Sequence, residues 1–360
     1  MVVENKREKR EGWIDNVKVL ACFLVLTGHL MQSMVKSDII PVSHLYKWFN
    51  MTIYYFHVPL FFICSGYLYQ SRSVVRTFGQ WKSNVLGKFV ALGIPYFTFS
   101  IITYVIKTVM SSSVNTQNSG LLKTLFIEPA SPYWYLYVLF FMFMLIPTVS
   151  TKESCYVYVT IALACRIAVI FIPAGWSNIY ILEKILLNTI WFATGMGMSF
   201  LKIPVKIKNM RMATYKTAVF SVKLTAIVGL SIVIYMFGMS KGIVPFVMGV
   251  LFCETIIVFF ICSETGDFVT KLSGRWVMPV FLMHTIFAAG IRIVITKVMG
   301  GRSLSGTFMY ALIHVVLGMV FSIMGPIIAA YIADKSRLMK VFIYPTKVIN
   351  LKKTESSQEK

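Results

Sequence analysis

Charge is what this sequence has least of. Only 14% of its 360 residues are Asp, Glu, Lys or Arg, and acidic side chains are the scarcer kind, 14 against 35 basic ones. A soluble domain averages about 25% charged residues, so the deficit argues against a water-exposed globular chain. Cysteine is sparse and unpatterned. Cys22, Cys64, Cys165, Cys253 and Cys262 lie inside apolar runs, Cys155 lies at the edge of one, and no CxxC spacing occurs. That spacing speaks against a disulfide framework or a thiolate metal site and for buried free thiols. No internal repeat is evident, which disfavours transporters built from inverted halves. The charged start, MVVENKREKREGW, enters the first long apolar segment without a small-residue cleavage pattern, so no removable signal peptide is expected.

What the chain has instead is apolar length. It is 57% hydrophobic, with a mean hydropathy of +0.72. Long apolar runs recur along nearly all of it, as in a polytopic helical membrane protein. The expected fold is all-α with about ten spans, near 17–35, 50–69, 89–109, 133–148, 156–173, 181–200, 217–237, 243–262, 276–296 and 307–331. Lys and Arg fall unevenly between them. The segments 1–16, 70–88, 149–155, 201–216, 263–275 and 332–360 hold 23, and the alternate segments hold 6. By the positive-inside rule both termini are expected to be cytoplasmic. The same clustering explains the net charge of +21 without nucleic acid as a partner. Residues 1–16 read as a basic cytoplasmic segment, 17–335 as the membrane domain, and 336–360 as a cytoplasmic polar tail, disordered after Ile349. The longest outer loop, SSSVNTQNSGLLKTLFIEPASP, has the length to cover an outer opening.

Ionisable groups in hydrocarbon are expensive, so each needs a reason. His29 lies about 18 Å from the cytoplasmic edge of a roughly 30 Å core, and His57, on the next, antiparallel span, about 20 Å from the same edge. Two histidines at matched depth are either interhelical hydrogen-bonding contacts or proton acceptors suited to a hydroxyl near neutral pH. No third ligand accompanies them at a metal-binding spacing. Asp15 and Lys18 share one helical face at the cytoplasmic mouth of the first span. They are an interfacial ion pair or the entrance of a site for a charged cofactor. Arg72, Arg76, Lys82 and Lys88 follow without intervening acids; they set topology or hold a polyphosphate. Arg166, Glu254 and His284 fall in the middle of later spans, and Arg166 and Glu254 are candidates to pair. Glu183, Arg292 and His314 are weaker candidates. Pro279, ahead of His284, is placed to free a backbone carbonyl. In FHVPLFFICSGYLY, Pro59 is expected to shape the helix. Ser65 lies about 12 Å along it from His57, so Ser65-Gly66 reads as close helix packing rather than as a nucleophile.

Several segments, in order, resemble the integral membrane acyltransferases of the acyltransferase-3 type, which include O-acetyltransferases of bacterial polysaccharides and other envelope glycans. They are WIDNVKVLACFLVLTGH, FHVPLFFICSGYLY, KFVALGIPYFTF, SPYWYLYVLF, WFATGMGMSF and SGRWVMPVFLMH. The resemblance covers roughly residues 11–335. It implies acetyl-CoA or another acyl-CoA as donor on the cytoplasmic side, no metal, and an acceptor hydroxyl on a glycan or lipid-linked acceptor beyond the bilayer. Asp15, Lys18 and His29 match the family's Asp-x-x-Arg and following histidine, with Lys keeping the charge but losing the guanidinium fork. Arg72 and Arg76 match its basic pair. Lys88 matches one of two basic positions ahead of Ile94-Pro95-Tyr96, and Ala91 replaces the other.

The resulting expectation is a multi-pass enzyme of a bacterial cytoplasmic membrane. His29, His57 and Asp15 are its catalytic candidates, and Lys18, Arg72, Arg76 and Lys88 its donor-binding ones. The alternative is a non-enzymatic membrane protein that transports or recognises a small polar metabolite, as proposed for the similar membrane part of serine/alanine racemases. No racemase domain is expected here. The acceptor's identity and the oligomeric state have no signature in the sequence.

Overall fold

The computed structural model describes residues 11–111, 120–171, 180–209, 216–263, 267–299 and 307–349. All regular structure in these residues is helical. The helices are α1 (Gly12–Lys36), α2 (His44–Tyr54), α3 (His57–Arg72), α4 (Phe78–Lys88), α5 (Ile94–Val109), α6 (Leu121–Phe126), α7 (Trp134–Leu145) and α8 (Lys152–Ala168). They continue as α9 (Tyr180–Phe200), α10 (Ile203–Asn209), α11 (Lys216–Met236), α12 (Val244–Cys262), α13 (Asp267–Val298), α14 (Phe308–Asp334) and α15 (Arg337–Ile343). The tail expected to be disordered after Ile349 lies outside the described residues.

The chain is an all-α polytopic membrane protein, but the expected ten spans are too many. Among the described residues, seven stretches are long and apolar enough to cross a bilayer: Gly12–Lys36, His44–Arg72, Phe78–Val109, Ala218–Met236, Val244–Cys262, Gly274–Val298 and Phe308–Asp334. The other three fall short for separate reasons. α7 is apolar but only 12 residues long. It stops where Pro147 forces the preceding residue out of helix: Ile146 is extended, with φ −110 and ψ 110. α8 has 17 residues and passes into a 3-10 turn at Val169–Phe171. α9 has 21 residues, but Glu183, Lys184 and Asn188 lie in its first turns.

Prolines shape the spans that matter most. The expected single helix 50–69 is two helices, interrupted at Tyr55 and Phe56. In a continuous helix the Pro59 ring would press on the carbonyl of Tyr55. The break puts Pro59 in the first turn of α3, where a missing N–H loses no partner. In the next span a π-helical turn, Phe89–Gly93, precedes Pro95 at the start of α5. Pro279 lies inside α13 and strips the carbonyl of Arg275 of its helical donor. The Tyr344 hydroxyl takes that place, donating to the Arg275 carbonyl at 2.5 Å. Burial, then the charge of Asp334, pushes the Tyr344 phenol up to about 12, so it keeps the proton it donates.

α1 is the central helix and packs against α3, α12, α13 and α14. α3 and α9 make the closest crossing. Gly66 faces the Phe192 carbonyl, and Gly195 reciprocally faces the Ile63 carbonyl. A small-residue contact of this kind lets two membrane backbones touch. Gly66 therefore packs as expected. Ser65 points elsewhere, as described below. α11 is largely uncovered, with Val222 and Met236 more than 70% exposed, a surface suited to lipid.

Candidate functional site

Two clefts approach the middle of α1 from its opposite ends. The first, about 790 Å³, opens at the start of α1. Asp15 and Lys18 line it from α1, Ser65 and Arg72 from α3, Tyr135 from α7 and Phe281 from α13. Its walls carry both signs of charge, because Glu11 also lines it. Glu11 is the N-cap residue of α1. Its carboxylate accepts from Tyr67 Oη at 3.0 Å and from Trp13 Nε1 at 2.8 Å. Asp15, in the first turn of α1, is buried where the helix dipole favours a carboxylate.

The second cleft, about 540 Å³, opens at the other end of α1. α1, α5 and α13 line it, and it contains Gln32, Lys36, Lys107 and Arg292. A small chamber of about 50 Å³ lies between the two. It shares Phe61, Tyr135 and Phe281 with the first cleft, and His29 and Ser131 with the second.

His29 and His57 both line this chamber, so the pairing inferred from their depth is present. A third histidine packs beside His29 without lining the chamber or either cleft. The His284 ring lies 5.4 Å from that of His29, centroid to centroid. The break between α2 and α3 makes His57 the first residue of α3. His57 Nδ1 lies 2.6 Å from the Ile53 carbonyl, and His284 Nδ1 lies 3.0 Å from the carbonyls of both Val280 and Phe281. A carbonyl can only accept, so Nδ1 carries the proton in both rings and Nε2 holds the lone pair of the neutral form. Nε2 of His284 is buried without a protein partner. His29 Nε2 lies 3.4 Å from Ser131 Oγ. Chemically, the chamber offers imidazole nitrogens able to take a proton from a hydroxyl, set between aromatic walls.

The other expected residues divide. Lys88 does not line the first cleft; it sits over the Phe143 ring at 4.1 Å and the Tyr69 ring at 5.8 Å, on the side of Arg72 and Lys18. Arg76 belongs to the exposed link after α3, where its backbone N–H donates to Gln80 Oε1, and it does not line the first cleft. Arg166 and Glu254 do not pair. Arg166 donates to the Leu187 carbonyl at 2.7 Å and stacks on Phe246. Glu254 pairs with Lys223 at 2.5 Å. Neither lines the chamber or either cleft. His314 is tied on both nitrogens, to the Tyr310 carbonyl and to Thr296 Oγ1. Among the described residues, no group of three or more His, Cys, Asp or Glu side chains is placed to hold a metal ion.

The acyltransferase domain family matches residues 11–333. The chain belongs to the acyltransferase-3 family. A relative, the nodulation protein NolL of Mesorhizobium japonicum (strain LMG 29417 / CECT 9101 / MAFF 303099), is 29% identical over 170 residues, covering 47% of this chain and 43% of the relative. The match thus spans less than half of that relative's length. No solved structure matches.

Within this acyltransferase fold, several lining residues were not singled out from the sequence. Tyr135 and Ser131 belong to the motif SPYWYLYVLF but carry no ionisable signal near neutral pH. Ser131 enters the chamber from the end of the long loop. Ser65, expected to pack between helices, instead lines the first cleft and lies 3.0 Å from Tyr135 Oη. Lys36 and Lys107 look like ordinary interfacial lysines until α1 and α5 are brought to one cleft.

Proposed function

We propose that this protein transfers an acetyl or other short acyl group from acyl-CoA to a hydroxyl of an envelope glycan or lipid-linked acceptor. The observation that carries the reading is the position of His29, which borders both the narrow chamber and the second cleft. The donor occupies the first cleft, with its phosphates held by Arg72 and Lys18, while Lys88 and Arg76, outside the lining, add positive charge to that side. Its thioester reaches the chamber past Phe61, Tyr135 and Phe281. The acceptor enters from the second cleft. Its hydroxyl stands near Ser131, beside His29 Nε2.

In that arrangement His29 takes the hydroxyl proton as the oxygen bonds to the thioester carbonyl carbon. The carbon–sulfur bond breaks and CoA leaves as the thiol, having received the proton. His57 and His284, neutral with lone pairs on Nε2, steady the positive charge that develops on His29 as it takes the proton. Asp15 keeps Lys18 and the start of α1 in position. Residues 17–335 form the acyltransferase unit, with 1–16 and 336–360 as flanking segments. Lys6, Arg7, Lys9 and Arg10, just ahead of α1, support a cytoplasmic start for that helix, hence a donor cleft facing the cytoplasm of a bacterial cell.

The chamber volume favours transfer over transport of a polar metabolite. At about 50 Å³ it is far narrower than the clefts on either side of it, of about 790 and 540 Å³, a constriction suited to two meeting functional groups. The test is transfer of label from radiolabelled acetyl-CoA to envelope glycans, in membranes carrying the protein or its His29→Gln variant. Loss of general-base catalysis predicts a fall of about 100-fold or more. Full transfer by a folded His29→Gln protein would overturn the assignment. Substrate uptake into proteoliposomes without CoA would favour transport.

A further inference from the structure

The two clefts differ in charge. The first mixes Glu11 and Asp15 with Lys18 and Arg72. Among the described residues the second has no acidic residue in its lining, but three cations from three helices: Lys36 of α1, Lys107 of α5 and Arg292 of α13. The three helices run the same way past the cleft, so its side chains fall into two levels. His29, Thr103 and Thr285 form the inner level. Lys36, Lys107 and Arg292 stand four to seven residues further along the same helices. Arg292 is held in place by a hydrogen bond to Ser37. Lys107 lies close enough to Lys36 to feel its charge. Both line the one cleft, Lys107 half-buried and Lys36 exposed, so an anion between them is attracted by two charges at once.

From this we infer that the second cleft recognises an anionic acceptor, one whose carboxylate or phosphate is bound by Lys36 and Lys107 while its hydroxyl reaches His29. This rests on the acyl-transfer reading above and narrows its acceptor class. Seven residues of helix separate His29 from Lys36, about 10 Å along the axis. The anionic group therefore lies on the acylated sugar or on its immediate neighbour, not far along a polymer. Apolar Ile106, Met110 and Ile293 complete the walls and tolerate either a sugar face or a lipid chain. A uronic acid and a polyprenyl phosphate-linked sugar present the same charge to these lysines.

The experiment uses the full chain, purified in detergent, and three probes: an oligogalacturonate tetramer, its carboxyl-reduced neutral counterpart, and polyprenyl-phosphoglucose. Binding is read by thermophoresis, and label transfer from radiolabelled acetyl-CoA is read separately. At least one anionic probe is expected to bind about tenfold or more tighter than the neutral tetramer. Which one does so distinguishes the carboxylate source from the phosphate source. The preference is expected to vanish in Lys36→Gln/Lys107→Gln and to return in Lys36→Arg/Lys107→Arg, which keeps the charge and controls for misfolding. Equal binding of all three probes, or an unchanged preference in the Gln double variant, overturns the anion site. Anion binding without label transfer would leave the site standing and sink the acyl-transfer reading. Transfer to neutral and anionic acceptors alike would do the reverse.

Discussion

Gly66→Ala tests the crossing that holds α3, and with it His57 and Ser65, in register. A Cβ at Gly66 would stand 2.9 Å from the Phe192 carbonyl carbon and 3.2 Å from the Met196 nitrogen, with the Phe192 oxygen nearer still. Heavy atoms pack best at about 3.5–4.0 Å, so clearing the carbonyl carbon alone takes about 0.6 Å, and the nearer oxygen requires the backbones to part further. Neither obstacle is the tip of a flexible side chain. The facing glycine, Gly195, sets the same limit from the other helix, so the strain cannot be relieved by sliding. Overpacking of this kind costs about 1–3 kcal/mol. Alanine's better helix propensity returns less than about 1 kcal/mol of it. The control is Gly87→Ala in α4, where an added Cβ meets nothing within 4 Å and only the propensity gain, about 0.5–1 kcal/mol, remains. Thermal unfolding of the detergent-purified protein, followed by size-exclusion fluorescence, should move the two variants in opposite directions. A Gly66→Ala protein as stable as Gly87→Ala would refute the crossing geometry.

Three further outcomes follow from the site. His57→Gln should lower kcat by about 10²-fold if the ring stabilises developing charge, with KM for the donor little changed; a KM effect alone would assign His57 to binding. Arg72→Ala should raise the KM for acetyl-CoA about tenfold through loss of a charge-assisted phosphate contact, whereas Arg76→Ala, outside the cleft lining, should change it much less. Added salt should weaken donor binding in the wild type more than in Arg72→Ala; parallel salt curves would remove Arg72 from the donor site.

The histidine pair was legible because helix rise is regular. Counting residues from each membrane edge is enough to set His29 and His57 at one depth. His284 was visible as an intramembrane ionisable group, but its partner was not. Which helix packs beside α1 is a tertiary fact, and α13 is distant in sequence. Pro279 announced a freed carbonyl; its acceptance of the Tyr344 hydroxyl, 65 residues later, carries no local signal. The span count failed where apolarity persisted but length or polarity did not suffice, as in α7 and α9. The supposed Arg166–Glu254 pair failed because Lys223, an unremarked residue of α11, lies closer to Glu254. Ser65 shows the limit of reading small residues together: its neighbour Gly66 packs against α9, while one residue's rotation, about 100°, turns Ser65 into the cleft.

The Tyr344 hydroxyl also bears on how the protein can be handled. The segment after α15 looks expendable, since it follows the last long apolar helix and leads into a polar tail. Yet it caps a break in the helix that carries His284, two turns from the ring. A reporter, affinity tag or protease site inserted before Tyr344 would leave the Arg275 carbonyl unpaired and loosen α13 near the chamber, whereas one added after Ile349 would not touch that bond. Inactivity of a shortened or internally tagged protein would then register damage to the histidine cluster rather than the loss of a separate C-terminal function.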